Sequence, residues 1–553
     1  MDRRTVTALL LVALVLLLTP RLFPGKPRVG TLRDKTADTS RTAQPNSGSQ
    51  PTAVPSIPQA SPSPVAGDNP RDVPLIITGK NTEFHFSTST AALTAVRLNA
   101  FKNLTAKDGT PAQLMTPGGA LLVPRVVSGG DTISLSGSGL SATVDSVTAG
   151  AHRIMFAGSV RGSPLQLTYT VVPDSFLVRV SGSVMHSGSA PEIQYLLLDL
   201  PATLRSYEAD TVDDQRHLAY AYRKVGENSK SISFGSLDPG EHSLASGPFT
   251  WVVAKNKYFL LGVLAPDGDS LLTELSAVGG PRSSKIATIA RGNVVISLKN
   301  QAFSYEIYAG PQQWRRLHAL GREFETANPY GGFLQGFVQP FATIVMKILL
   351  WMRENLKFSY GWVLVIFGIT VRVALWPLNQ KGMRASMKMQ RIQPELNEIQ
   401  KRYKGDPEKL QSEMMRVYKE HNMSPFSTFT GCLPLFLPLP ILFALFFVFQ
   451  NTIEFRGVPF LWFPDISQKD PFYIVPLTMG VSMFGLSWIG MRNTPPNPQT
   501  KMMGYVLPVM MTFLFANFPS GLNLYYTIQN LAALPQQWLI ANERAKSGVA
   551  SKR

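Results

Sequence analysis

One residue in the apolar half of this sequence carries a formal charge where charge is costly. Five apolar stretches follow residue 357, at roughly 358–376, 431–453, 471–491, 503–518 and 520–540, and Arg372 is their single Asp, Glu, Lys, Arg or His. It lies about one turn before Trp376-Pro377. A guanidinium at mid-bilayer costs about 2.5–3.5 kcal/mol on insertion scales, whereas near a helix end it can snorkel to the interface at lower cost. The sharper reading is a water-filled recess in which Arg372 receives anionic guests, because no acid in any stretch can neutralise it. Tyr526, Gln529 and Asn530 of the last stretch are its candidate polar neighbours. Ordinary hydrogen bonding between helices would account for those three equally well.

Other chemistries are poorly served. A single cysteine, Cys432, excludes an intramolecular disulfide and any CxxC site. No GxxxxGK[ST] phosphate loop is present. His85, His152, His186, His217, His242 and His318 show no HxH or HExxH spacing, so each reads as an ordinary surface or core residue. No catalytic residue, cofactor or metal is expected.

The elements that must position Arg372 follow from composition. Of 553 residues, 44% are hydrophobic and 16% charged, against about 25% charged in soluble domains. With mean hydropathy +0.04, this is a membrane protein with a sizeable aqueous part. Arg3 and Arg4 precede an apolar run from Val6 to Leu18, and no small-x-small cleavage site follows. Residues 1–23 therefore read as a retained signal anchor rather than a cleaved signal peptide. Residues 24–70 contain nine prolines and no aromatic, the composition of an unfolded tether. From about 71 to 325, period-two runs such as Leu165–Val171, Phe176–Val180 and Phe303–Tyr308 alternate with Gly129-Gly130-Asp131, Asp267-Gly268 and Gly279-Gly280-Pro281. That pattern predicts a large antiparallel β-sandwich.

The five stretches are each near the ~20 residues a membrane-crossing helix needs. A sixth apolar segment, Phe333–Met352, carries Gln335, Gln339, Thr343 and Lys347 at four-residue spacing, with Phe337, Phe341, Ile344, Ile348 and Trp351 on another side. This reads as an amphipathic helix (330–357) in the interface. The loop 377–426 holds ten basic residues against six acidic ones, and the tail 541–553 is also basic. Lys and Arg mark the cytosolic side. Residues 377–426, 492–501 and 541–553 are then inside, and 24–357 and 454–470 outside. The result is six spans with both termini in the cytosol. Within 377–426, helical spacing on either side of Gly405-Asp406-Pro407 predicts an antiparallel hairpin with Asp406 as N-cap and Pro407 at N1.

Val371-Arg372-Val373-Ala374-Leu375-Trp376-Pro377-Leu378 resembles the arginine-bearing first conserved span of the YidC-type membrane protein insertases, the YidC/Oxa/Alb family. So do Arg391-Ile392-Gln393-Pro394 in the hairpin, Asn422-Met423-Ser424-Pro425 leading to Gly431-Cys432-Leu433-Pro434, Asp470–Pro476, and Phe518–Tyr526. The match covers about 330–541; the anchor and exported β domain resemble the Gram-negative form by position. The resemblance implies a groove open to cytosol and lipid, with Arg372 holding polar or acidic segments of nascent membrane proteins. It implies the Sec translocon, membrane lipids and, weakly or indirectly, the ribosome as partners, in a bacterial inner membrane. The short tail argues against strong autonomous ribosome binding. It further implies a sugar-mutarotase-like super-sandwich over 71–325, without catalysis. Pro535 falls where the resemblance implies a continuous helix. The rival class is a secondary transporter with an external carbohydrate-binding domain, which calls for repeated halves and intramembrane acids; neither is visible.

Overall fold

The computed structural model describes residues 72–546, except 73, 106–108, 148–149, 173, 187, 189–191, 267–271, 283–285, 329–334, 422–438 and 493–497. The anchor, the tether, Asp267-Gly268, the motif segment from Asn422 to Pro434 and the end of the tail lie outside the described residues, as do the side chains of Gln393 and Pro394. The chain divides into two compact units at Asn328/Pro329.

The first unit is all-antiparallel β. β1 (Pro74–Thr78), β2 (Thr82–Ser87), β3 (Leu93–Lys102) and β4 (Pro111–Met115) form one sheet. A second, 14-stranded sheet runs from β6 (Asp131–Ser134) at one end to β7 (Ser141–Ser146) at the other. The alternating runs become β9 (Ser163–Val171), β10 (Leu177–Val184) and β18 (Ala302–Pro311), with every second side chain buried along β9. Gly129 and Gly130 close the hairpin between β5 (Val123–Ser128) and β6 with φ of 59° and 87°. Two consecutive positive φ values are what a two-residue hairpin loop requires, and glycine alone adopts them without cost. Helices here are short: α1 is Thr211–Gln215 and α2 is Trp314–Ala319.

The segment after β18 is part of this unit. Phe324 is fully buried, edge-on to Trp251 and Tyr308. Trp251 Nε1 donates to the Arg322 carbonyl at 3.2 Å, and Arg322 pairs with Glu306 at 2.8 Å. Gln312 Nε2 donates to the carbonyls of Asn256 and Phe259.

The second unit is helical. α3 is Gln335–Leu356, α4 Tyr360–Arg402, α5 Pro407–Glu420, α6 Leu439–Asn451, α7 Ile474–Met491, α8 Pro498–Phe515 and α9 Ser520–Lys546. α9 packs against α4 and α7, α7 against α8, and α3 against α6. Among the described residues, three helices are long and apolar enough to cross a membrane: α3, the Tyr360–Arg384 part of α4, and α7. α6 and α8 contain shorter apolar segments, Pro440–Asn451 and Gly504–Phe515. The count of six is not confirmed by these helices, since the anchor and 422–438 lie outside the described residues, and length and composition admit α3, which the amphipathic pattern places in the interface. α3 buries Val338, Ala342, Val345, Met346 and Leu349, and exposes Phe337, Ile344 and Trp351.

The expected boundary at Pro377 does not exist as a break. α4 is one 43-residue helix, roughly 65 Å at 1.5 Å per residue, about twice the hydrocarbon core. A proline removes one donor without ending a helix whose flanks are otherwise held. α9 likewise runs unbroken through Pro535. The hairpin turn is as expected at its second arm: the Asp406 side chain accepts from Lys409 N at 3.2 Å, and Pro407 is the first helical residue. α4 ends with Tyr403 as C-cap, two residues before Gly405. Ile392, Leu396, Ile399, Val417 and Tyr418 form the hairpin core, with Met414 packed against it. That methionine serves the hairpin itself.

Candidate functional site

The seam between α4 and α9 carries the polar groups. Reading down it, the Phe367 and Tyr525 rings lie 5.8 Å apart. Next, Gln529 Nε2 donates to the Gly368 carbonyl at 2.7 Å and to the Tyr525 hydroxyl at 3.1 Å. A Cβ on Gly368 would come within 3.2 Å of Ile528, so glycine there sets how closely the helices approach. One turn on, Arg372 Nη2 donates to Gln536 Oε1 at 2.8 Å, and Gln536 Nε2 donates to the Trp376 carbonyl at 3.0 Å. Gly368, Arg372 and Trp376 are spaced by four on α4; Tyr525, Gln529 and Gln536 are spaced by four and seven on α9. Both sets keep one helical face turned to the other helix. Further along the same two helices, Arg384 makes a two-nitrogen ion pair with Glu543, at 3.0 and 3.3 Å. Both side chains are exposed, so the pair contributes little to stability.

Of the four residues singled out in the sequence, Arg372 and Gln529 share this seam. Asn530 turns instead to α7, donating to Ser482 Oγ at 3.1 Å and toward the Met479 carbonyl at 3.5 Å. Tyr526 packs its ring 5.3 Å from Phe515 of α8. Gln536, which is 1% exposed, is the partner that sequence reasoning missed. Its signal was available: it stands seven residues, two helical turns, after Gln529.

The electrostatics are one-sided. Arg372 is half-buried, its Nε has no hydrogen-bond partner, and its hydrogen-bonded neighbour is a neutral amide. No carboxylate pairs with it among the described residues. The site can therefore attract and orient an anionic or strongly polar group; among the described residues it brings together no nucleophile with an acid–base partner.

The opposite end of the bundle is closed by backbone and carboxylate contacts. Asp470, fully buried, accepts from Trp462 Nε1 at 3.2 Å, Phe472 N at 3.0 Å and Val475 N at 2.8 Å, capping the start of α7. Ser520 N and Gly521 N donate to the carbonyls of Gln468 and Ile466. Asn523 Nδ2 donates to the Phe515 carbonyl at 3.0 Å. Asp470 thus fixes the Asp470–Pro476 motif locally, while the Phe518–Tyr526 motif is tied to residues 466–468 just before it, which gives each a structural reason.

In the β unit, charged side chains clamp the turn between β14 (His242–Lys255) and β15 (Phe259–Leu264). Lys257 Nζ meets Asp213 at 2.8 Å, while Asp214 accepts from Lys257 N at 3.1 Å and Asn256 Nδ2 at 3.2 Å. Lys255 Nζ donates to Asn328 Oδ1 at 3.0 Å, and burial pushes its ammonium down to about 7. His217 Nδ1 lies 2.8 Å from the Asp213 carbonyl oxygen, and burial lowers its affinity for a proton. Every acid here is engaged by a lysine or an amide, so the cluster reads as an internal clamp rather than a cleft. His85 and His318 sit beside Glu83 and Glu325, at 2.8 and 2.9 Å. No group of residues suited to a metal ion occurs among the described residues.

The family model described as the 60Kd inner membrane protein matches residues 351–547. That described as the YidC periplasmic domain matches 76–344. The chain belongs to the YidC-type membrane protein insertase family. Among curated relatives, the membrane protein insertase YidC of Chlorobaculum tepidum is 30% identical over 389 residues, covering 68% of this chain and 65% of that protein. That of Chlorobium phaeovibrioides is 28% identical over 566 residues, covering 98% of this chain and 95% of its own length. A crystal structure described as an active YidC insertase with its first transmembrane domain resolved is 18% identical, covers 85% of this chain and 94% of its own, and aligns with a TM-score of 0.34. This YidC-family chain is accordingly an inner membrane protein with a periplasmic domain.

Proposed function

We propose that this chain inserts nascent proteins into the inner membrane, alone or with the Sec translocon, and that Arg372 receives the polar segment that must cross. Residues 1–23 anchor the chain, 24–70 form the tether, 330–357 lie in the outer interface, and 358–540 form the five-helix core with its cytosolic hairpin. Both termini are cytosolic, the ribosome contact is weak or indirect, and the periplasmic sandwich performs no catalysis. Curated relatives named as insertases support the activity.

The observation that carries the site is the α4–α9 seam, where a half-buried guanidinium is held by a neutral glutamine with no carboxylate beside it among the described residues. Gln529 belongs to the same seam. Asn530 and Tyr526 support the groove indirectly, by fixing α9 against α7 and α8. Moving a polar segment into the bilayer is opposed mainly by desolvation. A cationic, hydrated recess lowers that barrier, and the apolar helix of the client then enters lipid without nucleotide. A photocrosslinker at position 372 should capture the polar tail of a stalled nascent membrane protein. Capture of lipid alone, with no nascent chain, would reject the reading.

A further inference from the structure

The loop between α6 and α7 is built inside out for a segment in water. From Gly457 on, its two carboxylates face inward: Asp470 is fully buried and Asp465 is 6% exposed, accepting from Ser467 N and Oγ. Lys469 is its one exposed charged residue between Gly457 and Ile474. The large apolar side chains face outward instead: Leu461 is 64% exposed, Phe472 65%, Trp462 40% and Tyr473 43%. Beneath them Phe455, Phe460, Phe463 and Ile466 form a buried floor.

The outward residues are held there against local preference. Leu461 and Tyr473 have φ of 52° and 56°, a region that bulky side chains avoid and that persists only when the surroundings enforce it. The enforcing contacts are the Phe460–Phe463 backbone pair at 3.0 and 3.1 Å and the three hydrogen bonds onto Asp470. The exposed surface also continues without a break. Phe472 and Tyr473 lead into Ile474, Leu477, Val481, Phe484 and Trp488, all exposed, at steps of three and four along α7. α7 is long and apolar enough to cross a membrane, so that stripe faces lipid.

We propose that the loop 457–473 is a rigid membrane-immersed platform, whose Leu461, Trp462, Phe472 and Tyr473 sit at the acyl–headgroup boundary of the outer leaflet. Tyrosine and tryptophan rings favour that depth, here with the Trp462 Nε1 already satisfied by Asp470, and Lys469 reaches the headgroups by snorkelling. The outer position rests on the topology given under Proposed function; the immersion rests on the loop itself. Spin labels on Leu461→Cys and Phe472→Cys, each in a Cys432→Ser background in dilute proteoliposomes, test it. Val481→Cys serves as the lipid control and Glu227→Cys, on the β unit, as the aqueous one. Labels at 461 and 472 should collide with oxygen several-fold more than with a water-soluble nickel chelate, as at 481. A ratio matching that at 227 would overturn the proposal. Brominated lipids should quench the wild-type protein more than Trp462→Phe; equal quenching also counts against it. Separately, Lys469→Cys should react with an impermeant thiol reagent from the periplasmic side of cells. Reaction only from the cytosolic side would reject the topology and leave the immersion to the collision data.

Discussion

At Arg372 the controlling fact is that the neighbouring side chain is an amide rather than an acid. Gln536 fixes the guanidinium and bridges it to the Trp376 carbonyl, so it positions the charge without cancelling it. Gln536→Glu would keep the geometry and supply the missing counterion. At an effective dielectric of 20, opposite charges about 4 Å apart attract by about 4 kcal/mol before desolvation. The variant should therefore fold normally, with equal or higher thermal stability, yet lose its preference for clients with acidic translocated tails. In vitro insertion of matched acidic and neutral clients checks this; a retained preference would show that the charge of Arg372 is not the recognised feature.

Between elements, glycine decides how tightly helices meet. A Cβ on Gly361 of α4 would run into the ring of Phe460, which is 8% exposed and flanked by Trp362 and Phe463. On Gly490 of α7 it would meet only the end of the Gln537 side chain. Gly361→Ala should cost about 1–3 kcal/mol, the usual range for overpacking. Gly490→Ala should be near neutral, because a flexible amide can move. Thermal unfolding of the two variants in detergent distinguishes them. This scale also shows what the sequence could and could not tell. The strands β9, β10 and β18 were legible, since period-two alternation survives in a sheet with one buried face. The Asp406-Pro407 helix start was legible because capping is local. Continuity of α4 through Pro377 was not, because proline's local preference is overridden by packing along both flanks. Arg372 was legible as a lone charge. Its partner was not, because a lone glutamine within an apolar stretch carries no charge to mark it; two-turn periodicity from Gln529 would have found it.

At the scale of the whole molecule, the tether composition, with no evident site among the described residues of the sandwich, leads to the expectation that the sandwich is dispensable for insertion. The structure moves the boundary for testing this. A deletion of 75–310 would leave Gln312 and Phe324 stripped of the strands that bury them, whereas the unit ends at Asn328. Removal of 75–328 should sustain growth of a depletion strain with the protein at normal level, and removal of 75–310 should lower that level. Loss of viability with a stable 75–328 deletion would contradict the expectation. Within the sandwich, Lys255 has its folded-state affinity for a proton pushed down to about 7 from 10.5. The folded state then binds fewer protons than the unfolded one between those values. This penalty is full below about pH 7 and is relieved as pH rises toward 10.5. Lys255→Met should flatten that rise in a pH series of sandwich unfolding; an unchanged slope would mean that Lys255 is solvated.

Client insertion by Arg372 variants, at equal protein levels, tests the central claim most directly. If the guanidinium is an electrostatic receptor, charge matters more than shape. Arg372→Lys should insert clients nearly as well as wild type, and Arg372→Ala should fail for clients with acidic tails while handling neutralised versions far better. Even a quarter of the ~4 kcal/mol attraction changes occupancy about fivefold. Equal behaviour of Arg372→Ala toward acidic and neutralised clients would contradict the account and leave Arg372 as an interface anchor.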